Sequence, residues 1–515
     1  MELHFPSFSV LLAFLLFLFM VMKKGMKGSN TQNPNSKLPP GPPKLPLIGN
    51  LHNMLGGLLP HHTLRDLSKK YGPLMHLQLG EVSAVVVSSP KVAEQFLKTH
   101  DLNFADRPQL LAANVVFHGC TDVAFASYGN YWRQMRKIAV LEFLSTKRVN
   151  SFRSIREEEV SNMIQSISLM AGLPINLTEI IYSLTNDITS RAAFGKKCKE
   201  KEAFISAMRE VSKLAAGLDV SDLFPSLKFL HVLSGTKPKL EWAHRKVDKI
   251  LNDIINDHRE NRTSTISKPN RGHDQLEEDL VDVLLRLQES ATLEPPVTTD
   301  NLKAFILDLF AAGTESASAE MEWVMSELLK NPRVMEKAQA EVRRVFNGER
   351  QIDETNIHKL DYVKLVIKET LRLRPAGPLL VPRECRERCE IDGYEIPLKT
   401  KVFVNVWAIG RDSEYWNDAE SFEPERFHGS SIDYKGADFE YLPFGAGRRM
   451  CPGVSFGIAN MELALAQLLY HFDWKLPGDG VKPEDTDMSE SFGLSVRRRD
   501  PLYLIPIPYI PLATE

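Results

Sequence analysis

The chain has 515 residues, of which 43% are hydrophobic, so it is long enough to bury a large core. Its formal net charge is −3 and it contains no long basic block, which argues against a nucleic-acid partner. Its five cysteines are an odd, scattered set, which is typical of a reduced protein that faces the cytosol rather than of a disulfide framework.

The N-terminal segment predicts a membrane anchor. Residues 5–22 are almost entirely apolar and would extend roughly 27 Å as a helix. Lys23 and Lys24 follow this run, so the rest of the chain is expected on the cytosolic side. A cleaved signal peptide is the alternative, but it needs a basic start and a small-residue cleavage site, and Glu2 precedes the apolar run. We therefore interpret residues 1–22 as an uncleaved single-pass anchor.

A linker and a hinge are predicted between this anchor and the main domain. Residues 23–37 are polar and contain Gly, Ser and Asn, as flexible linkers do. Residues 38–46 are rich in proline, which fixes φ and favours a stiff, extended spacer. Residues 23–46 are therefore predicted to connect the anchor to a domain spanning 47–515.

The first part of that domain predicts strands, and the next predicts helices. Residues 75–79 and 84–87 are strand-like and flank Gly80-Glu81, which favours a β-hairpin. Helical patterns dominate from about residue 91 to 330, so the fold class is mainly α with a smaller β portion (α+β). The polar segment 261–278 contains Pro and Gly and is predicted as an exposed loop.

Within the helical part, Trp132 and Arg136 lie four residues apart and therefore on one face of a helix. On pattern alone, a surface pair of an aromatic ring and a cation explains them as well as a binding site does.

A long helix is predicted from Thr298 to Lys330, on the order of 30 residues or 45 Å. One stripe of this helix carries Phe305, Leu309, Ala312, Gly313 and Ser316, where bulky apolar residues are followed by two small residues and a hydroxyl. A glycine inside a helix costs roughly 1 kcal/mol relative to alanine, so something is expected to approach the backbone there. That neighbour is either a small ligand or a closely packed helix.

The segment 443–453 holds a lone cysteine, Cys451, among glycines, prolines and the adjacent Arg448 and Arg449. Free cysteines are usually small buried hydrophobic residues. Neighbouring cations and the start of a helix near Phe456 instead favour a thiolate, which acts as a nucleophile or as a metal ligand. No second cysteine lies near enough in sequence for a zinc pair, which favours a lone ligand.

Phe444-x-x-Gly447-x-Arg449-x-Cys451-x-Gly453 matches every fixed position of the haem-binding signature of the cytochrome P-450 superfamily. This resemblance implies the cytochrome P-450 fold, with haem b between the long central helix and the cysteine loop. Cys451 would be the axial thiolate ligand, which pushes electron density onto the iron and favours O–O cleavage. Phe444 and Gly447 would belong to the haem site.

The same resemblance implies which donors bind the haem propionates. Trp132 and Arg136 look like the family's first pair, Arg383 like its second arginine and Arg449 like a third donor. Buried propionates need such donors because an uncompensated buried charge costs several kcal/mol.

A further implied element is a structural lock. Glu369 and Arg372, together with Arg426, are similar to the superfamily's Glu–Arg–Arg network, whose role is in folding.

With a haem implied by the resemblance, an oxygen-sized gap over the iron explains Ala312 and Gly313 better than close helix packing does. The middle of the long helix resembles the superfamily's oxygen-activation motif, Ala/Gly-Gly-x-Asp/Glu-Thr, with one departure. Ser316 stands where the threonine is usual, and Ala317 follows it. Serine keeps the hydroxyl that steers protons towards dioxygen but lacks the methyl group that restricts its rotamer. Glu315, about 100° round the helix, is expected to feed protons from the solvent side. Ser316 and Glu315 are thus the predicted catalytic residues.

An apolar substrate pocket is the next expectation from the family pattern, and ordinary core packing is the alternative for each position. Such a pocket favours a hydrocarbon-like substrate. The predicted lining residues are Val116, Phe117, Phe305, Leu309, Ala312, Gly313, Leu379, Leu380 and Phe492.

The electron source is expected to be a separate protein. The sequence has no dinucleotide-binding G-x-G-x-x-G after a strand and no P-loop. The resemblance therefore implies electrons from NADPH through the membrane-bound NADPH–cytochrome P-450 reductase. Arg133, Lys137 and Arg448 are candidates for its docking face.

Residues 38–510 resemble a microsomal plant A-type monooxygenase, closest in appearance to plant terpenoid hydroxylases. The expected activity is NADPH- and O2-dependent oxidation of a small hydrophobic plant metabolite, a mono-, sesqui- or diterpene, at the endoplasmic reticulum membrane. The alternatives are an oxidase of an alkaloid or phenolic substrate, and a haem-thiolate isomerase or lyase that needs no reductase.

Overall fold

The computed structural model describes residues 37–54, 56, 59–215, 219–230, 235–266, 278–290, 294, 296–346, 352–478, 480 and 482–509. The predicted anchor (1–22) and the linker up to residue 36 lie outside these residues, so both stay predictions. Within the described ranges, no helix combines the length and the apolar character needed to cross a membrane.

Helices make up most of the described chain, as the sequence predicted. Single π-helical turns extend two of them, at Gln95–Thr99 and Ala139–Leu144. The α-helices are α1 (Pro60–Tyr71), α2 (Pro90–Glu94), α3 (Leu111–Val116), α4 (Asn130–Ile138), α5 (Thr146–Ser151), α6 (Arg153–Leu169), α7 (Leu177–Phe194), α8 (Lys201–Ala215), α9 (Val220–Leu223), α10 (Thr236–Ile266), α11 (Leu280–Glu289), α12 (Thr299–Lys330), α13 (Pro332–Val345), α14 (Asp361–Leu373), α15 (Val406–Ile409) and α16 (Val454–His471).

The strands form four small sheets, in the orders β1-β2-β7-β4, β3-β11-β8, β5-β6 and β9-β10. The mainly helical fold class with a smaller β portion is therefore confirmed. The strands are β1 (Leu74–Leu79), β2 (Val82–Val87), β3 (Ile175–Asn176), β4 (Arg383–Glu384), β5 (Cys389–Ile391), β6 (Tyr394–Ile396), β7 (Lys401–Val404), β8 (Phe472–Lys475), β9 (Glu490–Ser491), β10 (Arg497–Arg498) and β11 (Tyr503–Pro508).

The predicted hairpin is the antiparallel pair β1–β2, with Leu77 opposite Ala84. Gly80, at φ +62°, makes the turn. Successive side chains of a strand point to opposite faces of the sheet. Val85 therefore packs on one face, in a buried cluster with Phe96, and Val86 packs on the other face, in a buried cluster with Met75. β2 then pairs in parallel with β7, which brings a late segment of the chain into the same sheet.

The proline-rich segment 38–46 packs against this sheet rather than standing free as a spacer. The Pro40 carbonyl accepts the His76 N–H at 2.8 Å. A Cβ added at Gly41 would lie 2.0 Å from the His76 carbonyl oxygen, so only glycine fits there. The Asn50 side chain donates to the carbonyls of Pro42 and Pro43. These contacts make the segment a packed part of the described domain, and its role as a spacer stays a prediction.

Helix α10 corrects one prediction. Residues 261–266 continue this helix, whereas the sequence predicted a loop from residue 261. Arg262 has partners across the helix surface: it donates to the Asp282 carbonyl at 2.8 Å and pairs with Glu289 at 2.8 Å. Polarity here marks a solvated helix face. Residues 267–277 of the predicted loop lie outside the described residues.

The long helix is confirmed as α12. Thr298 is its N-cap and forms a reciprocal capping box with Asn301, and the chain leaves the helix at Asn331. The helix packs against α7, α14 and α16 and is buried over most of its length. It is therefore the central element that positions residues from several others.

The Glu–Arg–Arg lock is also confirmed. Arg372 contacts the Glu369 carboxylate with two nitrogens, each at 2.8 Å, and Arg426 Nε contacts it at 2.9 Å. Both Glu369 and Arg372 are fully buried. Arg372 also donates to the carbonyls of Ala419 and Ser421, so the lock fixes the segment that leads towards the cysteine loop.

We expect Glu369→Gln to lower the free energy of unfolding by about 3 kcal/mol, because it leaves buried guanidinium charge without its counter-ion. Chemical denaturation followed by circular dichroism measures this change. The matched control is Glu94→Gln, which removes an exposed pair with Lys98 and should cost under about 1 kcal/mol. Equal effects of the two substitutions would contradict the assignment of Glu369 as the centre of the lock.

Candidate functional site

The loop that carries Cys451 is closed by its own backbone. The Cys451 N–H donates to the Phe444 carbonyl at 3.0 Å, and the Met450 N–H donates to the Gly447 carbonyl at 3.1 Å. Gly447 has φ +69°, and a Cβ there would lie 2.1 Å from the Leu97 carbonyl oxygen. The close neighbours of Gly447 are therefore Leu97 and Asp101 of another segment of the protein, and its place in the haem site stays a prediction.

The Cys451 thiol is accessible to solvent-sized probes, yet protein surrounds it. Burial raises the pKa of this thiol, and the Gly453 N–H and the Arg136 charge oppose that rise. Gly453 immediately precedes α16, so the predicted position at a helix N-terminus is confirmed. An accessible sulfur inside the protein is suited to bind a metal in an enclosed space.

The expected charge partners of Cys451 need correction. Arg448 pairs with Asp101 at 2.9 Å, and Arg449 Nε donates to the Ala105 carbonyl at 2.7 Å. Neither arginine contributes to the pKa shift of Cys451, whereas Arg136 does, and Arg136 also donates to the Met450 carbonyl. The cation that favours the thiolate therefore comes from helix α4, far away in sequence.

Trp132 contributes the face of its ring to the site, because its indole N–H already has a partner within the protein. Its indole N–H donates to the Val123 carbonyl at 2.9 Å, so it is already satisfied by protein. The guanidinium carbons of Arg449 and Arg136 lie 4.2 and 5.8 Å from the ring centroid. In this structure the Trp132 ring is a platform for two arginines, and its role as a propionate donor stays a prediction.

Two further arginines complete the cation cluster. Arg383 is buried, pairs with Asp101 at 2.6 Å and donates to the Ala446 carbonyl at 2.7 Å. Arg107 is also buried and donates to the Ala124 and Pro382 carbonyls, both at 2.9 Å. The sequence analysis missed Arg107, because it lies in an irregular segment with no periodic pattern that would mark it.

The charge balance of this cluster fits a bound anion. Burial lowers the pKa of Arg107, Arg136, Arg383 and Arg449, in the case of Arg449 to about 9. Most of their hydrogen-bond partners are backbone carbonyls, which accept hydrogen bonds but do not neutralise charge. A group with two carboxylates would relieve the mutual repulsion of these arginines. The residues around Cys451 therefore fit haem, whose propionates are such carboxylates.

Helix α12 forms the other side of the site. Ala312 is exposed although its neighbours along the helix are largely buried. The Ser316 hydroxyl, one turn on, donates to the Ala312 carbonyl at 2.6 Å. A Cβ added at Gly313 would lie 3.3 Å from Thr189 Oγ1 and 3.7 Å from the Phe456 ring. Gly313 therefore packs closely against α7, which was the less favoured of the two explanations, and the oxygen-sized gap over the iron stays a prediction.

Glu315 does not face solvent, which corrects the prediction of a solvent-side proton supply. Its carboxylate is buried and accepts hydrogen bonds from Tyr182 at 3.2 Å and Ser212 at 3.1 Å. Arg497 pairs with it at 3.2 Å. These partners belong to α7, α8 and β10, and they fix the rotation of α12 about its axis.

Asp308 is a second residue that the sequence analysis missed. Its carboxylate accepts the N–H groups of Val123 and Ala124, each at 3.0 Å. It thereby ties α12 to the loop whose carbonyls hold Trp132 and Arg449. An acidic residue in the apolar run Leu307-Asp308-Leu309 was the signal that could have identified it.

The predicted substrate residues divide into several groups in the structure. Ala312 is exposed at the site, and Leu380 lies near the cysteine loop, because its Cδ1 is 3.4 Å from a Cβ added at Gly445. Leu379 packs with the β1–β2 sheet, and Phe492 stacks on His61 with ring centroids 6.4 Å apart. Four of the predicted substrate residues belong to the large buried core: Val116, Phe117, Phe305 and Leu309.

Comparisons with known proteins agree on one family. Residues 39–504 match the family described as cytochrome P-450. The chain is 59% identical to desmethyl-deoxy-podophyllotoxin synthase of Sinopodophyllum hexandrum, covering 98% of this chain and 97% of that protein. It is 55% identical to premnaspirodiene oxygenase of Hyoscyamus muticus, covering 98% and 99%. A zebrafish cytochrome P-450 structure with progesterone has a TM-score of 0.74 at 25% identity, covering 88% and 100%.

The position of Asp308 generates a pH prediction. Burial raises its pKa from 3.8 to about 6, so the folded protein binds this proton more tightly than the unfolded chain does. Asp122 is buried beside Asp308 and the two carboxyls titrate together, each raising the pKa of the pair. The stability that goes with the protonated carboxyl is therefore complete below about pH 4 and is lost as pH rises through about 6.

Asp308→Asn should flatten that decrease, because an amide keeps an acceptor for Val123 and Ala124 without a titrating charge. Urea unfolding of both proteins from pH 4 to 7 measures the difference between the two curves. Parallel curves would show that Asp308 does not titrate in this range.

Proposed function

The chain belongs to the cytochrome P-450 family, and from this premise we propose that it hydroxylates, or otherwise oxidises, a small hydrophobic plant terpenoid. It is an oxidoreductase of the monooxygenase class. One observation carries the proposal. The Cys451 thiol is accessible within the protein, and so is the turn of α12 from Ala312 to Ser316.

The residues proposed to hold the haem follow from the cation cluster. Haem, when bound, supplies the redox chemistry by which one oxygen atom of O2 enters a C–H bond. Cys451 provides the thiolate ligand. Arg107, Arg136, Arg383 and Arg449 orient the carboxylates, because each is anchored on the protein by at least one hydrogen bond.

Ser316 is proposed to hold the proton that the reaction consumes. Its hydroxyl donates to the Ala312 carbonyl, which leaves its lone pairs available to accept a hydrogen bond from water on the accessible side. Glu315 is proposed to orient α12 rather than to transfer a proton. Its carboxylate is held by Tyr182, Ser212 and Arg497. These contacts fix the rotation of the helix and therefore the direction of the Ser316 hydroxyl.

The proposed substrate class rests on apolar character and on relatives. The family positions that border the substrate are Val, Phe, Leu and Ala, which offer few polar anchors to a ligand. One relative is named for oxygenating premnaspirodiene, and this name supports a terpenoid: a mono-, sesqui- or diterpene. Another is named for making desmethyl-deoxy-podophyllotoxin, which keeps the alternative of an alkaloid or phenolic substrate open. An isomerase or lyase is less well supported, because the chain keeps Ser316 and an acid beside it.

Electrons are proposed to arrive from NADPH through cytochrome P-450 reductase. Arg133, Lys137 and Arg448 are exposed and border the cysteine side, where an acidic partner surface would bind. Attachment to the endoplasmic reticulum membrane is proposed through residues 1–22, whose apolar run is long enough to span a bilayer.

A panel of terpenes incubated with microsomes that contain the protein, reductase and NADPH tests the activity. We expect NADPH-dependent hydroxylated products and a thiolate-type reduced-CO spectrum. Cys451→Ser should abolish both, whereas Cys389→Ser, on a strand away from the site, should leave both unchanged. An intact spectrum without turnover across the panel would reject the terpenoid substrate, and turnover by Cys451→Ser would reject the haem-thiolate mechanism.

Ser316→Ala should increase peroxide release. It should also lower the amount of product formed per NADPH consumed by roughly 10- to 100-fold, a small effect for the loss of a proton-transfer group. Ser316→Thr, which restores the usual hydroxyl and restricts its rotamer, should couple at least as well as the parent protein. Unchanged coupling in Ser316→Ala would remove Ser316 from the mechanism.

A further inference from the structure

Three potential metal ligands converge outside the haem site. His244 and Asp248 lie one turn apart on α10, and His118 lies in the turn after α3. One ligand atom from each lies within 4.8 Å of the other two. His118 Nε2 is 3.2 Å from Asp248 Oδ1, and the two imidazole rings meet edge to face at 4.7 Å.

Two nitrogens of this cluster have no hydrogen-bond partner. His118 Nε2 and His244 Nδ1 are both buried, and neither makes a hydrogen bond with good geometry to any described residue. A buried polar atom without a partner costs free energy, so native proteins rarely keep one without a reason. Two buried nitrogens beside a carboxylate oxygen offer the donor atoms that a metal ion needs.

A carboxylate lies beside one of the two rings. His118 Nδ1 is 3.8 Å from an oxygen of Asp300, a separation that one water can bridge. A carboxylate of this kind orients a ligating histidine and raises its basicity.

We propose that His118, His244 and Asp248 form a binding site for a divalent transition metal, with Zn²⁺ as its best match. Two imidazoles and one carboxylate suit Zn²⁺, and a water completes four-fold coordination. The Asp300 side chain is 65% exposed, so the cluster is open to solvent on that side and a metal can enter.

Lys303 sets the strength of this site. Its ammonium lies 2.9 Å from Asp248 Oδ1, the same oxygen that approaches His118, and 3.4 Å from Asp300 Oδ1. A metal must displace this ammonium from Asp248, and Asp300 remains as its partner. Lys303 therefore competes with the metal and weakens binding without preventing it.

The cluster of His258 and Asp279 differs from this one. His258 bonds the Ile254 carbonyl at 2.7 Å and Asp279 at 2.9 Å, so both of its ring nitrogens are satisfied. This cluster supplies a matched control. The cluster of His61, His62 and Glu490 shares two unpartnered nitrogens with the proposed site, and Glu490 pairs with Arg374 at 2.8 Å as Asp248 does with Lys303.

Metal at this site would tie the turn after α3 to α10. That turn contains two non-glycine residues with positive φ, His118 at 46° and Cys120 at 57°. It directly follows Val116 and Phe117, and α3 packs against α10. Bound metal should therefore hold the turn in this conformation, whether or not the proposed terpenoid oxidation is correct.

The test measures Zn²⁺ binding to the intact haem-loaded protein after removal of metals with EDTA, by competition with a chromophoric chelator. We expect one site, weakened by about tenfold or more in both His118→Ala and His244→Ala. Lys303→Gln should bind Zn²⁺ more tightly than the parent protein, and a misfolded variant would not do so. His258→Gln should bind as the parent does.

Far-UV circular dichroism and the reduced-CO spectrum of each variant establish that the fold is intact. Zn²⁺ should also raise the thermal midpoint of the parent protein but not that of His118→Ala. The proposal is overturned if the parent does not bind Zn²⁺, if the two alanine variants bind it as tightly as the parent, or if Lys303→Gln weakens binding.

Discussion

Buried guanidinium charge is the constraint on which the functional side of this protein depends. Arg107, Arg136, Arg383 and Arg449 come from separate segments and meet in a region where their burial is unfavourable. Backbone carbonyls orient them, and Asp101 supplies one counter-charge. The remaining positive charge makes the site complementary to an anionic cofactor. The same design ties the cysteine loop in place, since Arg136 and Arg383 donate to carbonyls of that loop.

Helix α12 explains how such a site keeps an opening inside a packed protein. Its acidic residues are used as anchors: Asp308 holds the loop at Val123, and Glu315 holds α7, α8 and β10. Each anchor restricts how the helix can rotate or shift. Ala312 is left exposed between them, with Ser316 one turn away. A helix that is anchored on both sides of a small exposed residue is suited to hold the nearby Ser316 hydroxyl in one position.

Several predictions from sequence were correct because they depend on short-range rules. The β1–β2 hairpin follows from alternation and a glycine turn, and the limits of α12 follow from a capping threonine and Asn331-Pro332. The i, i+3 spacing of Glu369 and Arg372 predicted the ion pair between them, which is one part of the lock. The signature around Cys451 identified the family from sequence alone.

Tertiary structure decided what the sequence left open, because partners distant in the chain set the environment of a side chain. Glu315 looked solvent-facing from helical geometry, yet Tyr182, Ser212 and Arg497 enclose it. Gly313 packs closely against Thr189, a contact that the sequence did not specify. The sequence by itself determined the family and the long helix, since these follow from local patterns. Burial, charge balance and neighbours belong to the folded chain alone.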